Sequence, residues 1–364
     1  MEKKLNKGII NLLPGPVEIN PKVTKAFHKT PVSHRGDVFM ADFKKLKSKL
    51  CQFVNAKHVE ICTGSGTLGN EMIAAQLSQL EGKGLVLVNG EFGERLLSHA
   101  ERIGLNHEAV IFPWGTPYSF DEIKRKIGEN APISWIWTVH CETSTGILND
   151  MEGLKALCKE RNIKFCIDCI SSIATVPVDM KDVYLANGVS GKAFCSYAGL
   201  AMVFYNHDLK VSPKIARYLD LGYYRINQGI PFTVSSCLAY ALKKAVKSLD
   251  KQPEMFDNIK HHSRTIRAEL ERLDFKIMND ISVAAPAVIT VELPEHINSV
   301  AFGQHLENTN CFISYKSGYL VKRNLIQTYV TRNTTAEHVE GFIKLVNNIV
   351  ESLKEETPAL SHAA

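Results

Sequence analysis

Between about residue 55 and residue 205, short and nearly continuous apolar runs alternate with stretches whose apolar residues recur three and four apart. The first pattern predicts strands that are apolar on both faces, and the second predicts helices with one apolar stripe. Strands are expected at His58–Cys62, Gly84–Val88, Ala109–Phe112, Ile133–Val139, Lys164–Asp168 and Gly199–Tyr205. Helices are expected from about Asn70 and over Glu94–Ile103, Phe120–Glu129 and Met151–Arg161. Such alternation predicts an α/β fold with a mostly parallel sheet covered by helices on both sides. Ligands of these sheets sit beyond the carboxyl ends of the strands. The loop at Gly64, the loop after Val139 and Asp168 would gather there.

After Tyr205 the pattern changes. Helices are expected at Pro213–Asp220, Ser235–Leu249 and Glu254–Leu273, followed by a strand at Ala287–Val291 and a helix at Val300–Glu307. Strands at Cys311–Tyr315 and Leu325–Val330 and a last helix at Thr335–Lys354 complete a smaller α+β unit. The expected division is an N-terminal arm (1–18), a large domain (19–255), a small C-terminal domain (256–356) and a frayed tail (357–364), with the break inside the long helix.

Composition removes several classes of function. A chain of 364 residues with 45% hydrophobic and 22% charged residues is an ordinary globular protein with room for two domains. The net charge of +5 is mild, and Lys44-Lys-Leu-Lys-Ser-Lys49 falls at helical spacing among apolar neighbours, which is a solvated helix face and not a nucleic-acid site. No apolar run approaches the roughly eighteen residues of a membrane span. The charged start lacks the apolar core of a secretory signal. Nine cysteines scattered among apolar stretches fit reduced thiols and a cytoplasmic location. Cys166 and Cys169 form a C-x-x-C with no second pair, so no metal site is expected.

The candidate chemistry starts from Asp168, at the end of an apolar strand, and Lys192, in the small-residue run Gly188-Val-Ser190-Gly-Lys192. A lysine and a carboxylate held by neighbouring strands suit pyridoxal 5'-phosphate (PLP). The amine forms a Schiff base with the aldehyde, and the carboxylate keeps the ring nitrogen protonated. Gly64-Ser-Gly-Thr-Leu-Gly69 follows a strand and opens a helix whose free amides can hold a phosphate. Its G-x-G-x-x-G spacing also fits a nicotinamide-dependent oxidoreductase using Gly64, Gly66 and Gly69. That reading wants an acid at the end of the next strand, where Asn89 stands, with Glu91 two residues on. Phe92 could stack on a flat ring, and Thr143, in a polar loop past a strand end, could reach a ring hydroxyl.

Taken in order, Leu13-Pro-Gly-Pro16, Ser33-His-Arg35, Ser65-Gly-Thr67, Asn89-Gly-Glu-Phe-Gly-Glu-Arg95, His140-Cys-Glu-Thr-Ser-Thr-Gly146, Asp168, Ser190-Gly-Lys192 and Pro231-Phe-Thr233 resemble the class V aminotransferase family of PLP fold-type I enzymes. The alanine–glyoxylate and serine–pyruvate branch is nearest in look, and the resemblance thins after about residue 250. It implies a seven-stranded-type sheet in the large domain and a homodimer with shared sites. By position, Lys192 would be the Schiff-base lysine and proton carrier, Asp168 the partner of the ring nitrogen, Phe92 the stacking residue and Thr143 the partner of the ring oxygen. Ser65, Gly66, Thr67 and Ser190 would hold the phosphate, with Thr233 reaching that of the other subunit. Pro14, Gly15 and Arg35 would lie at the substrate.

Two departures bear on substrate. Relatives carry a carboxylate-clamping arginine some seven residues before an Asn-x-Thr turn. Here the turn is Asn333-Thr-Thr335 and the position holds Ile326, beside Gln327. Arg323 and Arg332 lie out of register, Arg35 could come from the other subunit, and Gln327 is the neutral donor to consider. Gly191 stands where relatives often carry glutamine. The expected activity is a PLP-dependent transamination from an amino donor to a small 2-oxo acid of the pyruvate or glyoxylate type. A cysteine desulfurase or lyase of the same fold is the near alternative, with Cys311 in the relevant part of the chain.

Overall fold

The computed structural model describes residues 8–129, 132–250 and 252–361. Its centre is a seven-stranded sheet of β1 (His58–Thr63), β2 (Lys83–Val88), β3 (His107–Ile111), β4 (Ile133–Val139), β5 (Lys164–Asp168), β6 (Leu185–Val189) and β7 (Leu200–Tyr205). The spatial order is β1-β7-β6-β5-β4-β2-β3, and only β7 runs against the rest. Helices α1 (Asp37–Val54), α2 (Gly66–Leu77), α3 (Glu91–Arg102), α4 (Phe120–Glu129), α5 (Met151–Glu160) and α6 (Ser236–Lys247) belong to this unit. Successive strand residues point to opposite faces, so Cys166 packs into one apolar cluster and Ile167 into another. Cys166 and Cys169 fall in different clusters, and burial pushes both thiols up. All nine cysteines are free.

The C-terminal part holds α7 (Gln252–Arg272), the antiparallel sheet β8 (Lys276–Ile277), β9 (Val288–Glu292) and β10 (Leu325–Tyr329), and helices α8 (Ser299–Asn308), α9 (Gly318–Lys322) and α10 (Ala336–Ser361). The N-terminal arm is tied to this part: Ile10–Asn11 pairs in parallel with Cys311–Phe312, and the Tyr329 amide donates to the Leu12 carbonyl at 2.8 Å. Of the arm, residues 1–7 lie outside the described residues. Among the described residues, no helix is long and apolar enough to cross a membrane.

Several expected elements change. Helix α2 begins at Gly66, not near Asn70, so two glycines that read as loop lie in the helix. A Cβ on Gly66 would meet Ile170 Cδ1 at 2.5 Å and one on Gly69 would meet Asn187 at 3.2 Å, so these glycines allow close packing. Pro213–Asp220 is a series of turns, and Asp220 instead caps the helix Leu221–Ile226 by accepting from the Gly222 amide at 2.9 Å. Leu185–Val189 is a strand although Asn187 and Gly188 are poor strand formers; it is buried at every position between β5 and β7. The tail expected from residue 357 is helical backbone through Ser361, and 362–364 lie outside the described residues.

Candidate active site

The carboxyl ends of β4, β5 and β6 and the start of α2 surround a cavity of about 580 Å³. Asp168 is the last residue of β5 and is buried. Its Oδ1 accepts from the Ile170 amide and its Oδ2 from Asn70 Nδ2, both at 2.8 Å. Burial raises its pKa, while these two donors and Lys192 draw it down.

Lys192 lies three residues past β6. Its Nζ donates to Ser171 Oγ at 2.9 Å and lies 5.5 Å from the centroid of the Phe92 ring. Burial lowers its pKa, opposed by Asp168. Ser171 is a residue the sequence reading missed: its Oγ also accepts from Thr143 Oγ1 at 2.8 Å, and its carbonyl accepts from Tyr329 Oη at 2.9 Å. The serine pair Ser171-Ser172 just past Asp168 was the signal for it.

Phe92 is placed by a cap that comes from another loop. Helix α3 starts three residues earlier than expected because Glu142 accepts from the Phe92 amide at 3.2 Å and the Gly93 amide at 2.9 Å, while Ser144 Oγ accepts from the Glu91 amide at 3.0 Å. A buried carboxylate on free helix-start amides satisfies both partners and fits the positive end of the helix. Arg95 and His99 follow Phe92 on the same face of α3 and also line the cavity. The spacing 92, 95, 99 was a legible sign of that face.

Among the remaining expected residues, Gly15, Ser65, Gly66, Thr67 and Thr143 line the cavity with Asp168, Phe92 and Lys192. Pro14 is half-buried next to this lining. Ser190 lies outside this lining, and its hydroxyl donates to the Tyr197 carbonyl at 2.7 Å and accepts from the Leu200 amide. Thr233 and Arg35 are exposed and lie outside this chain's cavity lining. Arg323 lies on Trp114, 3.8 Å from the ring centroid, and Arg332 donates to the Phe194 and Ala245 carbonyls. Gln327 is fully engaged, accepting from Tyr319 Oη at 2.9 Å and donating to Thr290 Oγ1 and to the Thr143 and Ser144 carbonyls. None of these three lines the cavity.

The glycine motif sits in a setting unlike a dinucleotide fold. β1 is an edge strand paired only with the antiparallel β7, while β2 lies at the far side of the sheet. Asn89 is buried and bonded to Asn149 and the Thr116 carbonyl. Glu91, the other acid weighed for that role, is ion-paired with Arg95. Cys311 is buried in strand pairing and its thiol is pushed up to about 12, which does not describe a mobile nucleophile.

The model of the class V aminotransferases matches residues 22–314. The chain belongs to that family. A (S)-ureidoglycine–glyoxylate transaminase of Bacillus subtilis is 26% identical over 323 residues, covering 79% of this chain and 77% of that protein. A 2-aminoethylphosphonate–pyruvate transaminase of Pseudomonas aeruginosa is 26% identical over 275 residues, 70% of this chain and 74% of that one. A protein named as the 42 kDa subunit of a soluble hydrogenase of Anabaena cylindrica is 28% identical over 304 residues, 78% of each. The alanine–glyoxylate aminotransferase structure from Nostoc sp. superposes with a TM-score of 0.86 at 23% identity, covering 94% of this chain and 95% of that one. The fold is that of PLP fold-type I, and this class V aminotransferase is an enzyme whose family and fold imply PLP.

Proposed function

We propose that this chain moves an amino group from an amino donor to a small 2-oxo acid of the pyruvate or glyoxylate type, with PLP held in the cavity described. The observation that carries the reading is the joint placement of the Lys192 amine, the Asp168 carboxylate and the Phe92 ring around one space. The residues present fit the cofactor. The start of α2 offers free amides at Gly66 and Thr67 for a phosphate, next to Ser65. Asp168 could pair with a ring nitrogen, Phe92 could cover a ring face, and the Thr143 hydroxyl, which here donates to Ser171, could turn to a ring oxygen. When bound, the cofactor supplies an aldehyde carbon and a ring that takes up an electron pair.

The protein's own groups do the rest. Ser171 holds Lys192 Nζ, and burial makes the neutral amine, the form that can take a proton, easier to reach than in water. Arg95 is the arginine among the cavity-lining residues, so it is our candidate for the anionic group of the substrate in place of the clamp missing at Ile326. We further propose a cytoplasmic homodimer in which the exposed Thr233 and Arg35 reach the other subunit's site, and a large domain over 19–255 with a small one over 256–356. Free cysteines support the reducing location.

The purified protein should show a near-visible absorbance band that borohydride bleaches, with the reduced pyridoxyl group on Lys192. Lys192→Ala should lose the fixed adduct and multiple turnover. A pyridoxyl group mapped to another lysine would remove the assignment.

A further inference from the structure

Asp168 is gripped by a run of side-chain amides that neither the glycine motif nor the Schiff-base lysine explains. Asn187, in the middle of β6, donates its Nδ2 to Asn70 Oδ1 at 2.7 Å, and Asn70, in the second turn of α2, donates its Nδ2 to Asp168 Oδ2 at 2.8 Å. All three side chains are buried. Gly69 lets the helix close on Asn187, since a Cβ there would stand 3.2 Å from it.

The direction of this run follows from charge. An ionised carboxylate only accepts, so Asn70 must turn its NH2 toward Asp168 and its carbonyl toward Asn187. At the far end Asn187 Oδ1 is left buried with no partner. Reversing both amides would only move the unpaired end to the Asn187 NH2, and would leave the Asn70 carbonyl facing Oδ2, which then needs a proton. The observed orientation points a donor at the anionic form of Asp168, with the one unpaired end of the run at Asn187 Oδ1.

We propose that Asn70, oriented by Asn187, is a positioning residue of the transamination. It fixes Oδ2 of Asp168 and keeps the shared proton on the ring nitrogen of the cofactor instead of on the carboxylate. The inference rests on the PLP reading above. A hydrogen bond to the charged form stabilises it, so losing the donor moves the proton toward Asp168 and weakens the ring as an electron acceptor. The other titratable groups near Asp168 are Lys192, His99, Cys141 and Cys169, and they stay unchanged in the test.

The test uses Asn70→Leu, which keeps volume and removes the donor, and Asn187→Leu, which leaves Asn70 free to turn. Borohydride fixation on Lys192 in wild type is checked first; its absence refutes the PLP reading and this inference with it. Given fixation, each holoenzyme is loaded with cofactor labelled with ¹⁵N at the ring, and the ring-nitrogen shift is followed with pH. In the apoproteins, the Asp168 carboxyl carbon is titrated by ¹³C NMR. Wild type should keep a protonated ring. Asn70→Leu should move the ring toward the neutral form, raise the Asp168 midpoint by about one unit, and lower kcat roughly tenfold with little change in KM. Asn187→Leu should move the same readouts in the same direction by less, and it decides the matter if Asn70→Leu does not fold. Ring shift and Asp168 midpoint unchanged in the folded variants overturn the proposal, even if activity falls.

Discussion

Glu142→Gln separates a capping carboxylate from a merely buried one. Oε1 accepts from the Phe92 and Ser144 amides, each at 3.2 Å, and from the Ser144 hydroxyl; Oε2 accepts from the Gly93 amide at 2.9 Å. Burial raises this carboxyl's pKa and those donors lower it. We read the group as ionised, because three of its four partners are backbone amides, which can only donate. Glutamine keeps the shape and one accepting oxygen. Its NH2 end cannot accept, so at least one amide of the α3 start loses its partner. A hydrogen bond to a charged group contributes about 1.5–3 kcal/mol, and a negative charge at a helix start adds roughly 0.3–1 kcal/mol. Relief from burying a charge offsets part of this. The net expected loss is about 3 kcal/mol.

Unfolding entropy near 2.1 cal/mol/K per residue makes that loss a fall in Tm of about 4 °C for a chain of this length. The measurement is calorimetry of the apoprotein at fixed concentration, because assembly shifts apparent stability. Phe92 rides on the same cap, so if about 1.4 kcal/mol of that loss falls on the bound ring, the cofactor dissociation constant should rise roughly tenfold. A Tm within 1 °C of wild type, with unchanged cofactor affinity, would refute the capping argument.

Two further outcomes follow from the site. His140 is buried with Nδ1 2.9 Å from Ser172 Oγ, and burial holds its pKa down to about 4 against an ordinary 6.5. Its neutral form is favoured by folding, so the stability is present above pH 6.5 and lost as pH falls toward 4. Relative to His140→Gln, wild type should lose about 3 kcal/mol between pH 7 and pH 4 in urea titrations, and a constant difference between the two proteins would contradict this. Arg95→Met should lower kcat/KM by roughly 10–100-fold for substrates with an anionic group, the scale of one charge-assisted hydrogen bond. Equal kcat/KM across a panel of amino and oxo acids would place the anion elsewhere.

Much of the large unit was legible because its signals are local. Phe120–Glu129, Ile133–Val139 and Lys164–Asp168 fall where the apolar patterns put them. What was not legible depends on residues far apart in sequence. The start of α3 is set by Glu142 from about fifty residues downstream, and nothing within Asn89–Arg95 reveals that cap. The start of α2 was hidden because glycine reads as loop until the neighbours it must approach, Ile170 and Asn187, are in place. Asn187 itself argued against a strand, and only its bond to Asn70 gives that polar residue a reason to be there.

The candidate clamp residues show the same limit at the level of side-chain direction. Ile326 aligned with the missing arginine, yet neighbours on a strand face opposite sides. In β10 it is Gln327 and Tyr329 that reach the site's loops, through the Thr143 and Ser144 carbonyls and the Ser171 carbonyl, while Ile326 enters the apolar core. With every polar end of Gln327 held by protein groups, it braces the Thr143 loop and has no donor left for a substrate. The role of the lost arginine therefore cannot pass to its sequence neighbour. The anion site we propose rests on Arg95, which lines the cavity from the face of α3 that carries Phe92, or on Arg35 of the partner subunit.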